Sequence, residues 1–317
     1  MRRVVASVLA TVALSIVSAS AADLKLKAPA LTASPSPWDF AFGGALMTDY
    51  NFRGISQSDR GPSTTAYFEP RYNVNKDFQL YAGVQGWSVK LATAPTAEID
   101  IYAGIRPTFG PLALDFGFIY YYYPKERAID NVTVIVPSGN TTLSDTDYYE
   151  IYGKGTYTLN DQWAIGGNVY YSPSWLNTGA DATYASITGK YTVPGAMLWK
   201  GWGVYVSGEF GHYWFGRTDL VPNVFVDVTG TAGWDLPDYN YWNIGLALTY
   251  KVFTLDFRYH DTDLNQSECN ALTSDPGASL TAPVQVNNFI TTGASKWCDA
   301  HFIVSFKADL TVESNLK

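Results

Sequence analysis

The sequence predicts an all-β chain folded as a transmembrane antiparallel β-barrel of about twelve strands. Three observations lead there. Apolar and polar residues alternate one by one through twelve separate segments, the period that places successive side chains on opposite faces of a strand. The connections between these segments alternate short and long, as periplasmic turns and extracellular loops do. Beyond residue 21 no apolar run reaches the ~18 residues of a membrane helix, so any insertion must use strands.

The first 21 residues are of another kind. Arg2 and Arg3 precede an apolar run from Val4 to Val17 and the small residues Ala19-Ser20-Ala21, the pattern of a secretory signal peptide. Residues 1–21 are therefore set apart as a signal peptide. Residues 22–37, rich in Ala, Pro, Lys and Ser, read as an extended periplasmic lead-in, and 38–317 as the outer-membrane barrel with long extracellular loops. A net charge of -8 argues against a nucleic-acid partner. With 27 Gly, 23 Tyr, 16 Phe and 10 Trp against 16% charged residues, strand and turn formers outweigh helix formers.

The elements follow in order. Segment 38–53 sets Trp38, Phe40, Phe42, Leu46, Tyr50 and Phe52 against Asp39, Ala41, Ala45, Asp49 and Arg53. Tyr50 and Phe52 are thus expected to face lipid, and Asp49 and Arg53 an aqueous lumen. Segment 63–74 carries Glu69 and Arg71 on its inner face, and Pro70, which has no N–H for a ladder, predicts a bulge or irregularity. Segment 78–90 sets Leu80 and Val84 against Tyr81 and Gln85; 98–107 sets Ile99, Ile101 and Ile105 against Glu98, Asp100 and Arg106; 112–123 sets Phe116 and Phe118 against Asp115 and Tyr121. The series continues through 147–159, 163–172, 182–193 (whose apolar face is thin), 202–213, 239–250, 253–261 and 299–310. Short connections such as Asn75-Lys76-Asp77, Thr108-Phe109-Gly110-Pro111 and Asn160-Asp161-Gln162 alternate with long ones near 124–146, 214–238 and 262–298.

The inward set is charged throughout: Asp49, Arg53, Glu69, Arg71, Asp100, Arg106, Asp115, Glu150, Lys154, Lys190, Glu209, Asp256 and Arg258. Two arrangements are open. The charges pair across the interior and plug it, or they line a narrow wet pathway whose selectivity they set. The acidic excess weakly favours cations in the second case.

Cys269 and Cys298 bracket most of the longest loop and have neither the number nor the spacing of a zinc site. In an oxidising compartment they are expected to form a disulfide worth about 3 kcal/mol in the chain-entropy model. His212, His260 and His301 lack a recognisable local nucleophile partner, so the chain is read as no enzyme, with no cofactor and no metal. The run Tyr120–Tyr123 reads as part of an aromatic girdle at the headgroups. Sequons at Asn131, Asn140 and Asn265 fall in outer loops and carry no meaning in a bacterial protein.

Within "TDYNFRGISQSD", residues 48–59, Asp49, Tyr50, Phe52, Arg53, Gly54, Ser56 and Gln57 resemble the N-terminal signature of the TorF-like porin family. These are proteobacterial outer-membrane proteins otherwise labelled conserved hypothetical. The resemblance is strong over 38–60 and is carried afterwards by the strand pattern; the lead-in "AADLKLKAPA" is similar to other alphaproteobacterial mature N-termini. Thr48 stands where the family usually has Ser, and the chain ends "SFKADLTVESNLK" rather than on an aromatic residue, leaving Phe306 as an internal candidate for the insertion signal. The resemblance implies an outer-membrane barrel acting as a porin, with no substrate and no catalytic or ligand residues attached. Arg53 and Gln57, at the start of the first outer loop, are candidates for folding that loop inward.

The expected function is a porin-like channel for passive diffusion of small hydrophilic solutes or ions through a charged lumen. The alternative is a closed structural, adhesin or receptor barrel acting through its extracellular loops. Expected partners are outer-membrane lipid and lipopolysaccharide, the barrel-assembly machinery and the diffusing solutes.

Overall fold

The computed structural model describes residues 37–127, 145–195, 199–219 and 233–316. The signal-peptide reading, residues 22–36 of the lead-in and the sequons at Asn131 and Asn140 lie outside the described residues. In chain order the strands are β1 (Trp38–Met47), β2 (Asn51–Phe52), β3 (Ile55–Ser56), β4 (Ser63–Asn75), β5 (Phe78–Trp87), β6 (Glu98–Phe109), β7 (Leu112–Tyr122) and β8 (Tyr148–Thr158). They continue as β9 (Trp163–Ser172), β10 (Ala182–Thr192), β11 (Trp202–Phe215), β12 (Tyr239–Tyr250) and β13 (Phe253–Thr262). After helix α1 (Gln266–Thr273) come β14 (Ser279–Val286), β15 (Phe289–Ala294) and β16 (His301–Thr311).

Twelve of these close into one antiparallel barrel in the order β1-β16-β13-β12-β11-β10-β9-β8-β7-β6-β5-β4. The last strand seals onto the first, with Ala45 opposite Lys307 and Leu46 opposite Phe306. Closure leaves no edge strand, the arrangement that satisfies every backbone donor without water. Short turns gather at one end, as at Lys251-Val252 between β12 and β13, and the long connections gather at the other.

Alternation decides which face each residue takes. Outward side chains stand exposed, from Leu46 on β1 to Ile187 on β10, the latter 68% exposed. The apolar outer wall carries aromatic residues at both rims. Trp38, Phe109, Trp163, Trp202 and Phe253 sit at the short-turn end, and Tyr122, Tyr149, Tyr171, Trp214 and Phe302 at the long-loop end. An apolar band between two aromatic belts is the outer surface of a lipid-embedded barrel. The run 120–123 divides by parity: Tyr122 is on the outer rim, whereas Tyr121 and Tyr123 are buried in the interior.

Three expectations are corrected. The first strand ends at Met47 rather than at residue 53, because the chain then leaves the wall and folds as the β2–β3 hairpin inside the barrel. Tyr50 is accordingly buried and Phe52 packs against the inward Tyr121, rather than either facing lipid. At Pro70 there is no bulge, but the expected irregularity is present: opposite β5 the ladder skips Glu69 and Pro70 without a register change, and the register shift falls between Asn73 and Asn75. Pro70 instead stands opposite Phe40 of β1.

The longest loop is ordered. Asn265 caps α1, accepting from Ser267 N and Glu268 N while the Glu268 carboxylate accepts from Asn265 N, a reciprocal capping box. Cys269 and Cys298 form a disulfide with Cα atoms 5.8 Å apart. It ties α1 to the foot of β16, with the β14–β15 hairpin between them.

Candidate functional site

The hairpin turns on Arg53 and Gly54, with φ of 49° and 93°, while Phe52 faces Ile55 and Asn51 faces Ser56. Two positive φ values in a two-residue turn are what a tight hairpin needs, and glycine supplies the second without strain. No larger residue fits there, since a Cβ on Gly54 would lie 2.2 Å from Thr262 Cγ2 and 2.9 Å from Tyr241 Cδ2 of the wall. The base of the hairpin is closed by Asp49, which accepts hydrogen bonds from Ser56 Oγ (2.6 Å) and Ser58 Oγ (2.7 Å). Burial pushes the Asp49 carboxyl above its ordinary value, and the two serine hydroxyls pull it back only in part.

At the tip, the Arg53 guanidinium donates to both Glu150 oxygens, at 2.6 and 2.8 Å, and to the Tyr213 hydroxyl at 2.8 Å. It also lies over the rings of Tyr170 (4.4 Å) and Tyr184 (4.5 Å). Burial, the largest single influence, depresses its pKa, but the Glu150 charge and hydrogen bonds together with Tyr213 and Tyr121 outweigh it and hold the group above its ordinary value. The Tyr239 hydroxyl donates to the Arg53 carbonyl at 2.9 Å. Tyr50 stacks on Trp87 with ring centroids 4.1 Å apart and donates to Glu98 at 2.7 Å, so burial and that carboxylate both raise its pKa. The motif residues therefore form one device, a hairpin pinned across the lumen. Gln57 contributes least, its side chain donating only to Ile55 O at 3.2 Å.

On the long-loop side of the hairpin the interior is a packed core. Ile55, Tyr121, Tyr148 and Tyr239 meet loop residues Trp175, Leu236, Leu264 and Trp297. On the short-turn side lies a cavity of about 380 Å³, reaching from Phe52 and Arg53 to the turn residues Asn160 and Gln162.

The other predicted lumenal charges are all inside the barrel, in separate groups. Glu69 binds Arg71 (2.6 Å) and Arg106 (2.8 Å), and Arg106 also reaches Asp115 at 3.3 Å. Asp256 pairs with Arg258 at 2.9 Å. Asp100 accepts from Trp87 Nε1, and Glu209 from the Tyr184 hydroxyl. Lys154 and Lys190 lie over the rings of Tyr152 and Tyr205.

Inward tyrosines are what the charge-based reading missed. Tyr50 and Tyr123 serve Glu98, Tyr121 serves Glu150, Tyr81 serves Asp115 and Tyr67 serves Asp309. A buried carboxylate needs donors, so a tyrosine sharing the inward parity with acids was the available signal. Glu98, Lys307 and Asp309 share the inward parity of their strands and join the lumenal set.

His260 meets the Tyr241 hydroxyl, His212 meets Asn240, and His301 lies 3.7 Å from Asp49 and 2.7 Å from Arg60. Glu126, Asp145 and Asp147 bring ligand oxygens within 4.8 Å of one another at the long-loop end. All three already accept protein donors, Glu126 from Thr146, Asp145 from Asp147 N and Asp147 from Tyr123 N.

Among known families, the one described as a bacterial protein of unknown function (Gcw_chp) matches residues 31–289. No curated protein matches the sequence. Among solved structures, a loop-deletion form of OmpT, an outer membrane protein of Vibrio cholerae, is 13% identical with a TM-score of 0.36, covering 87% of this chain and 100% of that one. Salmonella typhi OmpF in complex with daunomycin is 10% identical at TM-score 0.35, covering 86% and 96%. CdiB from Acinetobacter baumannii is 9% identical at TM-score 0.40, covering 87% of this chain and 60% of its own. Likeness at this level adds nothing to the closed strand ladder seen directly.

Proposed function

We propose, for a chain that belongs to the Gcw_chp family of bacterial proteins of unknown function, that it is an outer-membrane porin-like barrel whose own first loop limits its conductance. The location rests on the apolar outer wall between two aromatic belts, together with the signal-like N-terminus. The resemblance of residues 48–59 to TorF-like porins points the same way. Outer-membrane lipid and lipopolysaccharide would contact the wall, the barrel-assembly machinery would insert it, and small hydrophilic solutes or ions would use the lumen. No catalytic step is assigned to it.

The observation that carries the reading is the stacking of hairpin and cavity. A charged space of about 380 Å³ ends against a hairpin held by side chains rather than by the barrel ladder. A plug joined to the wall through a few side-chain pins is a removable constriction. Planar-bilayer recording tests this with the full barrel and with residues 49–58 replaced by a flexible Gly-Ser linker. The expected result is small or rare current steps for the first and larger, frequent steps for the second.

A second reading is a closed barrel acting through its long-loop end. It is favoured by the ordered, disulfide-tied loop and by the exposure of Leu280 on the β14–β15 hairpin, at 87%. Silence of both proteins, each still folded as judged by heat-modifiable migration, would select it.

A further inference from the structure

Lys154 on β8, Lys190 on β10 and Lys307 on β16 line the cavity beneath the hairpin, and none makes a hydrogen bond or ion pair with a described residue. They stand apart from the arginines. Arg53 is paired with Glu150, Arg71 and Arg106 with Glu69, and Arg258 with Asp256. The acids reaching the cavity from the strands and the hairpin each accept a hydrogen bond: Asp256 from Arg258, Glu209 from Tyr184 and Asn243, and Asp49 from Ser56 and Ser58 at one oxygen, its other oxygen lying 3.7 Å from His301 Nε2. Among the strand residues lining this space, the charged side chains with no hydrogen bond or ion pair to a described residue are therefore ammonium groups, with Asp161 lining it from the β8–β9 turn, although the chain as a whole carries -8.

Such groups are costly to withdraw from water without a counter-charge. Lys154 is only 5% exposed and Lys307 8%. Two of the three are also held in place, Lys154 Nζ lying 4.2 Å from the centroid of Tyr152 and Lys190 Nζ 4.3 Å from that of Tyr205. Tyr205 supplies a second kind of signal: it lines the same cavity, is 3% exposed, and its hydroxyl has no hydrogen-bond partner. Buried polar atoms are nearly always satisfied, so an orphaned donor beside fixed cations points to a missing acceptor.

Ring order narrows the ligand. β8 and β16 lie halfway round the barrel from each other, with β10 between them on one arc. Three lysines on separate strands favour a molecule with several negative ends over a single compact anion. The cavity volume lies within the range of small-molecule sites. We infer that the cavity beneath the hairpin is a binding site for a small organic polycarboxylate, held by Lys154, Lys190 and Lys307. The site deepens the porin-like reading and rests on it for access from solution.

Calorimetric titration of the full chain, refolded in detergent, with citrate, inorganic phosphate and chloride at matched ionic strength tests the assignment. Citrate should bind saturably, and K190Q and K307Q should each weaken it about tenfold, the loss of one charge-assisted hydrogen bond, while K76Q in an exposed turn leaves it unchanged. K190Q and K307Q each remove a charge with no ion pair to a described residue, and K307M keeps the test open should the glutamine form fail to fold. Phosphate binding as tightly as citrate, displacement of citrate by chloride at matched ionic strength, or undiminished binding in both lysine variants would overturn the assignment. The channel is read separately by bilayer current. Citrate binding without current retains the site and removes the channel, and current without citrate binding does the reverse.

Discussion

Arg53 shows how a single residue can decide what a lumen does. It is a cation in the centre of the barrel, and its bidentate pair with Glu150 satisfies two charges that would each be expensive alone. Removing one partner strands the other. Arg53→Ala should therefore weaken hairpin docking by about 3–5 kcal/mol, whereas Arg53→Met combined with Glu150→Gln, which leaves no buried charge, should restore most of that loss. Hydrogen exchange of the amides from Tyr50 to Ser58 reads the difference, and equal protection in all three proteins would show that the pair does not hold the hairpin. Gln57→Ala is the internal comparison, expected to change little because its side chain donates only one long hydrogen bond, within the hairpin itself.

At the scale of elements, the long connection after β13 behaves as a small unit of its own. The disulfide, the capped helix and the β14–β15 hairpin hold one another, and contact with the plug is made through Ser56 N, which donates to Trp297 O at 2.9 Å. Replacing both cysteines by serine is expected to raise proteolysis between residues 262 and 298, the loop losing about 3 kcal/mol of chain-entropy stabilisation. The barrel ladder is independent of that bridge, so heat-modifiable migration should be unchanged. The same separation explains why the hairpin was misread from sequence. Alternation in residues 48–53 continues the pattern of β1 without a break, and period two cannot distinguish a strand in the wall from a short strand in the lumen. The cue against continuation was Arg53-Gly54, a turn with glycine at its second position, followed by serines at 56 and 58 able to close on Asp49.

For the molecule as a whole, the outer surface predicts a graded response to charge. Ile187 stands mid-strand on the outer wall of β10, and Tyr171 stands at the long-loop rim of β9. In bilayers, Ile187→Lys should destabilise by about 2–4 kcal/mol and Tyr171→Lys by roughly 0–1 kcal/mol, measured by reversible denaturant unfolding from lipid vesicles. Equal costs at the two positions would argue against a bilayer around the waist. The aqueous side follows a different rule. Arginines lie in compact ion-paired groups and tyrosine hydroxyls answer the buried acids, so the net charge of the chain says little about the charges left to meet a solute.

The sequence by itself determined the strand number, the face taken by each residue along the wall, the sorting of long and short connections, and the cysteine partnership. These follow from local period and chain connectivity, and a one-residue slip would turn every apolar side chain inward. Only the tertiary structure decided that the first loop lies inside the barrel, that Glu150 waits for Arg53 across 97 residues of chain, and that three lysines make no ion pair with a described residue. Those outcomes depend on which side chains meet across a closed ring. Pairing across the lumen joins residues from distant strands, and neither their spacing nor their parity records which partner each will find.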